Sequence, residues 1–599
     1  MTETILVAES VRASHALLDG PDDELALIRQ ILRRAAQEGD ARLLIGLAET
    51  AFGLLSDLPA GEGPRVWSLP PQYGPTAEPD ERIDDIALGS PRCGDGARRL
   101  ATEAYLAASV AGDLGRAEAL LANARRADLD HLPSAETALA TAFVVLHGDG
   151  DVATAYRLLL QAMETTRGRA TGPLSTEDAL RVLVLVCRLS GRAEHWESLD
   201  HLIGTSGSRV TAGVRMTADI ARDPRTALGR LDAEVESLAY RTEPTEIVCI
   251  ASASAFVDRL PGCRQALRRV ARPEPADGGG TPAMQASTLL ALEAYQTGQW
   301  DEAWQLTEMT AERCASRGYQ LLGQQARTVQ AFVAACRGDI GPAQAIADEV
   351  ARWAAPRGVT HLMAGARYAS VLAALAQSDF ETAYQQAAMI SPAGRIPSRE
   401  PFAAWALLDL VEAALRTGRR SDAVAHAQAV RQAGLATVSS RMALLSAAAT
   451  AMTAPDDQAP ALFDLALASE DAGRWPFDRA RVHLLFGERL RRMRAVTAAR
   501  VHLDTAFDEF RRLGAPTWAD RAATELRATG QTRLCGDKRD YQSLTPQELE
   551  IARLAAAGLS NKQIGGRLFL SHRTVGAHLY RIFPKLGITS RAALSGALQ

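Results

Sequence analysis

Apolar residues recur at helical spacing along most of this chain, and the runs that carry them are cut by small turn residues at a near-constant interval. Gly298-Gln-Trp-Asp-Glu-Ala303, Gly338-Asp-Ile-Gly-Pro-Ala343, Ser378-Asp-Phe-Glu-Thr-Ala383 and Gly418-Arg-Arg-Ser-Asp-Ala423 start 40 residues apart each time. Earlier copies run from Gly112 to Ala117, Gly150 to Ala155 and Gly191 to Trp196, spaced 38 and 41, and later ones blur around Gly473 and Ala498. Each unit predicts a helix that ends at the small residue, a short turn, and a second helix that opens on polar or acidic residues. The alanine five positions on marks a close crossing of two helices. One such hairpin cannot bury its apolar face alone, so neighbours must stack. The pattern predicts an all-α solenoid of helical hairpins over residues 97–527.

The last sixty residues carry a denser pattern. Thr545 and Glu548 have the spacing of a capping box, with Pro546 at the first helical position. Leu549, Ala552 and Ala556 form the inward stripe of that helix, and Gly558 stops it. Ser560 and Gln563 repeat the capping spacing for a short second helix with Ile564 and Leu568 inward. Phe569-Leu570 makes a tight turn, and Ser571, three residues before Thr574, caps a third helix. In it Val575, Leu579, Ile582 and Leu586 share one side, while Arg573, Gly576, Ala577 and Tyr580 lie opposite. Thr574, His578, Arg581 and Lys585 flank that outer side. Pro584 should kink or end the helix, and Gly587 closes it. Thr589 or Ser590 caps a fourth helix with Leu594 and Leu598 on one face. Gly565-Gly566 is expensive in a helix, and Gly565 is read as allowing two helices to cross closely.

An outer face with small residues at its middle can approach base edges, and a flank of donors and cations suits phosphates. The pattern therefore predicts a helix-turn-helix on duplex DNA. Arg573, Gly576, Ala577 and Tyr580 would face bases. Lys562, Ser571, Thr574, His578, Arg581 and Lys585 would face phosphates.

Two stretches break the helical pattern. Leu58 to Gly96 holds seven prolines, through which no helix runs, and Ala528 to Ser543 is polar and glycine-containing. The expected organisation is a helical segment over 1–57, a Pro/Gly-rich linker over 58–96, the hairpins over 97–527, a linker over 528–543 and the helix-turn-helix over 544–599. Only 5% of residues are aromatic, which favours tightly packed small-residue helices.

Charge changes the picture most. The three lysines are Lys538, Lys562 and Lys585, all near the C-terminus. From Tyr541 onward seven Lys and Arg face two Glu, whereas the preceding 540 residues hold 59 basic and 69 acidic residues. A basic cap on an acidic body fits a polyanion at one end only.

Nothing in the pattern assembles a catalytic, cofactor or metal site. The seven cysteines are Cys93, Cys187, Cys249, Cys263, Cys314, Cys336 and Cys535. They are odd in number, lack metal-ligand spacing, and read as reduced, buried thiols. His195 and His201 lie six apart, on different helix faces. The acidic run Asp80 to Asp85 reads as a solvated loop. Trp300, Trp304, Trp353 and Trp405 read as inter-repeat core, with a pocket on the concave face as the alternative. No signal-peptide pattern and no apolar run of membrane-spanning length is present, so a cytoplasmic protein is expected.

Leu-Thr-Pro-x-Glu, Gly-Leu-Ser-Asn-Lys-x-Ile, Leu-Ser-x-x-Thr-Val and Lys-Leu-Gly, in that order between Leu544 and Leu598, resemble the LuxR-type helix-turn-helix of bacterial transcription regulators. The resemblance implies that the helix from Ser571 reads DNA and that the fourth helix pairs two copies as a homodimer. Many members carry lysine where this chain has Gly576, which shifts the reading role toward Arg573 and Tyr580. The body is similar to tetratricopeptide-type repeats, though its period exceeds their usual 34 residues. The combination resembles the C-terminal part of large MalT-like regulators. Their ATPase module is not expected here, because residues 1–537 contain no lysine for a phosphate-binding loop. The expected function is a sequence-specific DNA-binding transcription regulator, not an enzyme, whose body senses a protein or small-molecule effector. The alternative is a helical-repeat scaffold or anti-activator whose C-terminal helices dock on protein.

Overall fold

The computed structural model describes residues 95–127, 134–166, 176–206, 224–272, 280–468, 470–531, 544–568, 570–585, 588 and 590–594. The segment expected over 1–57, the acidic run at 80–85, Cys93 and Cys535 lie outside them. So does the proline-rich stretch, except that a helix already begins at Asp95. Every regular element among the described residues is helical.

The 40-residue punctuation is a single repeated backbone motif. Gly298, Gly338, Ser378 and Gly418 have φ of 78°, 88°, 61° and 78°. The residue after each donates its N–H to the carbonyl five positions back: Gln299 to Ala294 at 2.8 Å, Asp339 to Ala334 at 2.9 Å, Asp379 to Ala374 at 2.9 Å and Arg419 to Ala414 at 2.8 Å. A left-handed residue past the helix end makes that closure possible. Ser378 adopts it without being glycine, at a cost of about 1 kcal/mol. The partner alanines Ala303, Ala343, Ala383 and Ala423 are all buried at the helix crossings. The blurred later unit falls at Arg494 and Ala499, one residue beyond the position expected from Ala498. Arg494 is left-handed at φ 63°, and the Ala495 N–H reaches the Leu490 carbonyl at 2.9 Å. An arginine in the turn position gives no breaker signal, which is why the copy is hard to see.

Inner and outer helices alternate. Thr281–Gln296, Gln320–Arg337, Thr360–Ala376 and Pro476–Arg492 are buried on most sides. Trp300–Ser316, Ile340–Ala354 and Arg420–Gln432 bury a single stripe.

The solenoid is wound tightly enough for its successive superhelical turns to touch. Thr281 Oγ1 donates to the Ala108 carbonyl at 2.6 Å, and Arg357 Nε donates to Asp149 O at 2.7 Å. Thr360 Oγ1 donates to Ser190 O at 2.7 Å, and Arg259 Nη1 donates to Val438 O at 2.7 Å. The turn glycines lie at these seams: a Cβ on Gly338 would stand 2.0 Å from Thr517 Oγ1, and one on Gly150 would stand 2.4 Å from the Trp353 ring. The concave side is therefore partly filled. Phe332, Tyr368, Phe402 and Trp405 pack there with ring centroids 5.4 to 6.3 Å apart. Trp300 and Trp405 are core, as read from their spacing, and Trp304 and Trp353 are half-buried against it.

Several charges inside the body are paired. Arg481 bridges Asp409 and Glu412, Arg521 bridges Glu412 and Glu488, and Arg416 also meets Glu488. Arg441 lies between Asp478 and Asp258. His195 is a packing residue, stacked on Tyr156 with its Nδ1 2.8 Å from Ser190 Oγ. The five described cysteines are free, and burial pushes the Cys314 thiol up to about 12. Among the described residues no helix is long and apolar enough to cross a membrane, and no group of three His, Cys, Asp or Glu could hold a metal.

The body's last helix runs to Ala528, and Thr529 is buried where Arg500 reaches its carbonyl. The expected linker over 528–543 thus loses its first residues to the body, and residues 532–543 lie outside the described ones.

Candidate nucleic-acid interface

A second, separate core forms after Leu544. Its first helix, Pro546–Ala556, opens with the expected capping box. The Glu548 N–H donates to Thr545 Oγ1 at 3.3 Å, and the Thr545 N–H donates to Glu548 Oε2 at 2.9 Å. Ile551 and Ala555 go deepest with Ala552. Leu549 and Ala556 are only half-buried, so the inward face is rotated from the expected one. The second helix, Asn561–Leu568, is capped by Ser560. The Ser560 N–H donates to Gln563 Oε1 at 2.8 Å, and the Gln563 N–H donates to Ser560 Oγ at 3.4 Å. Gly565 permits the turn that follows. A Cβ there would stand 2.5 Å from the Leu570 carbonyl, and the Leu570 N–H donates to Gly565 O at 2.9 Å. The close approach is thus helix against turn backbone, not helix against helix.

The third helix, His572–Lys585, is capped by Ser571, whose Oγ accepts from the Thr574 N–H at 3.0 Å. Val575, Leu579 and Ile582 are buried beneath it. Arg573, Ala577, Tyr580 and Arg581 are exposed and Gly576 half-exposed. Tyr580 is 81% exposed, unusual for a large aromatic ring with no apolar neighbour to hide it. Ser571 is exposed, but its hydroxyl already serves the cap and lies 2.7 Å from Thr574 Oγ1. His578 is half-buried with its Nδ1 enclosed and unpartnered. The helix is described through Lys585, one residue past Pro584; the side chains of Pro584 and Lys585, and residues Leu586, Gly587 and Thr589, lie outside the described ones. Only the opening of the fourth helix is described, a 3-10 turn Arg591–Ala593 with Ser590 ahead of it and Leu594 buried.

Three residues of this unit escaped the sequence reading. Arg591 ties the fourth element to the second by donating from Nη1 to Asn561 Oδ1 at 2.6 Å and from Nη2 to the Leu559 carbonyl. Arg553 and Arg567 are exposed cations outside the expected set, visible beforehand only as part of the domain's charge. Arg553, Lys562, Arg567, Arg573 and Arg581 are all exposed, and no carboxylate among the described residues pairs with any of them. The described residues of this unit thus expose five cations and a protruding phenol.

Residues 542–595 match the family described as bacterial regulatory proteins, luxR family. A provisionally named HTH-type transcriptional regulator of Mycobacterium bovis is 42% identical over 102 residues, 17% of this chain and 11% of that protein. The transcriptional regulatory protein LiaR of Bacillus subtilis is 38% identical over 73 residues, 12% of this chain and 32% of that protein. The chain thus spans about a tenth of the length of the mycobacterial relative. The APC/C hetero-tetramer Cut9-Hcn1 superposes with a TM-score of 0.36 at 11% identity, over 87% of this chain and 95% of that one.

Proposed function

We propose that the LuxR-family helix-turn-helix at the C-terminus makes this chain a sequence-specific, DNA-binding transcription regulator and not an enzyme. The observation that carries the reading is the third helix. It is capped by Ser571, anchored by Val575, Leu579 and Ile582, and turns Arg573, Ala577 and Tyr580 outward with no side-chain partner among the described residues. Arg573, Gly576, Ala577 and Tyr580 are assigned to base edges. Lys562, Ser571, Thr574, His578, Arg581 and Lys585 are assigned to phosphates, with Ser571 and Thr574 acting at the helix N-terminus, where backbone N–H groups favour an anion. Arg553 and Arg567 add to the same electrostatic footprint. A homodimer would read two half-sites separated by one helical turn or a multiple of it. The helical body is assigned to effector binding, and its tight winding makes that effector a small molecule.

Tyr580 tests the assignment. Tyr580→Ala in the full chain is expected to relax base preference at one position of each half-site, by about 1–3 kcal/mol of discrimination, when sites are selected from random duplexes. An unchanged site preference would remove Tyr580 from the reading face.

A further inference from the structure

A cavity of about 260 Å³ remains inside the body, where inner helices from successive superhelical turns meet. Its wall is largely apolar, with Leu292, Val329, Phe332 and Phe402 among the lining residues, and the irregular connection 391–400 closes one side. The tryptophan on this wall is Trp196, which comes from an early repeat and not from the four singled out by spacing.

Two polar side chains in the wall are underemployed. Arg188 donates from Nη1 to the Ser252 carbonyl at 2.8 Å and has no carboxylate partner among the described residues. Burial pushes its pKa down; the Cys249 thiol opposes the shift, and no carboxylate does. In this it differs from Arg441, Arg481 and Arg521, each of which meets two carboxylates. His361 makes no hydrogen bond to the described residues. Its ring stands edge-on to Phe256 and tilted against Phe402, each at 5.1 Å, and burial with the nearby Arg188 charge pushes its pKa down to about 4. It is therefore neutral at pH 7, with an N–H to give. The one carboxyl on the wall, Glu400, does not call for a cation. Its Oε1 accepts from the Phe402 N–H at 3.1 Å, and burial pushes its pKa up to about 7.

A half-buried cation with no carboxylate partner among the described residues is costly, and an arriving anion offsets that cost. The remaining wall is the kind of surface that takes an apolar body. An apolar cavity of about 150 Å³ holds benzene, so this one holds a ring and a short arm. We propose that the cavity binds a small organic anion, a carboxylate on an aromatic or branched apolar body. Arg188 and His361 take the carboxylate, and Phe332 and Phe402 pack on the body. The inference rests on the assignment of the body to effector binding and names the chemical class of its ligand.

The test is calorimetric titration of the full chain with 3-phenylpropanoate, 4-methylpentanoate and the uncharged 3-phenylpropan-1-ol. At least one acid is expected to bind, and 3-phenylpropanoate at least about tenfold more tightly than its alcohol. Arg188→Met should abolish that preference, and Leu292→Trp, which fills the cavity and keeps the cation, should abolish binding of all three. Neither acid binding tighter than about 1 mM, or acid and alcohol binding alike to the unmodified chain, overturns the proposal without recourse to a variant. DNA binding by the same preparation is scored separately. A chain that takes the acid but no DNA loses the proposed function and keeps the cavity assignment, and the converse result does the reverse.

Discussion

Lys562 gives the most direct measure of how the C-terminal unit meets DNA. It stands near the start of Asn561–Leu568, exposed and with no carboxylate partner among the described residues, while Ser560 and Gln563 cap that helix independently of it. Lys562→Ala should therefore remove a charge and leave the fold. If the ammonium neutralises one phosphate, the slope of log affinity against log salt flattens by about 0.9. Over a fourfold rise, from about 50 to about 200 mM salt, the unmodified chain then loses about 3.5-fold more affinity than the variant. The contact carries no sequence information, so the same change must appear on an unrelated duplex. Fluorescence anisotropy of the full chain on a selected site and on unrelated DNA measures both. Arg419→Ala is the control, because Arg419 already holds Glu381 through two N–H groups in the body. A slope that Lys562→Ala leaves in place, or that moves on one duplex only, refutes the phosphate assignment.

Two further substitutions test the packing. Gly565→Ala places a Cβ 2.5 Å from the Leu570 carbonyl, whereas Gly566→Ala meets nothing within 4 Å. The first should lose about 1–3 kcal/mol to overpacking and the second gain up to about 1 kcal/mol of helix propensity. Amide hydrogen exchange across Asn561–Leu568 should therefore move in opposite directions, and movement in the same direction defeats the argument. In the body, burial alone would raise the pKa of Glu412, but Arg521, Arg481 and Arg416 hold it at about 2. A depressed carboxylate stabilises the fold above its unfolded pKa of 4.5, and that contribution fades as pH falls from 4.5 toward 2. Glu412→Gln should cost about 3–5 kcal/mol at pH 7 by leaving buried arginines short of a partner. The penalty should shrink below about pH 4, as read from urea midpoints by tryptophan fluorescence, and a penalty that grows in acid contradicts the assignment.

What the sequence made legible follows from which signals are local. Capping boxes, the Ser571 cap and the 40-residue turns each depend on a few adjacent residues, and each is found where its spacing placed it. The Arg494 turn is hidden because arginine gives no hint that it will take a left-handed backbone. The rotation of the first C-terminal helix onto Ile551 and Ala555 is hidden because several apolar stripes compete on that helix. The seams between superhelical turns join residues 170 to 208 positions apart, such as Thr360 with Ser190 and Arg357 with Asp149. No periodicity within one repeat encodes such a pairing. The cavity is a product of those seams. Arg188, His361 and Glu400 come from three repeats and share a wall only because the solenoid closes on itself.

Charge shows why composition alone is a weaker argument than it looks. The body is rich in arginine, yet Arg264, Arg416, Arg441, Arg481 and Arg521 are all engaged by its own acids. Those cations are committed to the body's own carboxylates. In the C-terminal unit Glu548 is turned inward to cap its own helix, Glu550 is exposed, and Arg553, Lys562, Arg567, Arg573 and Arg581 keep their charge exposed. The contrast is therefore between these five exposed cations and the engaged arginines of the body. It predicts that affinity for DNA follows the unpaired set, residue by residue, and that neutralising a paired arginine of the body changes stability before it changes binding.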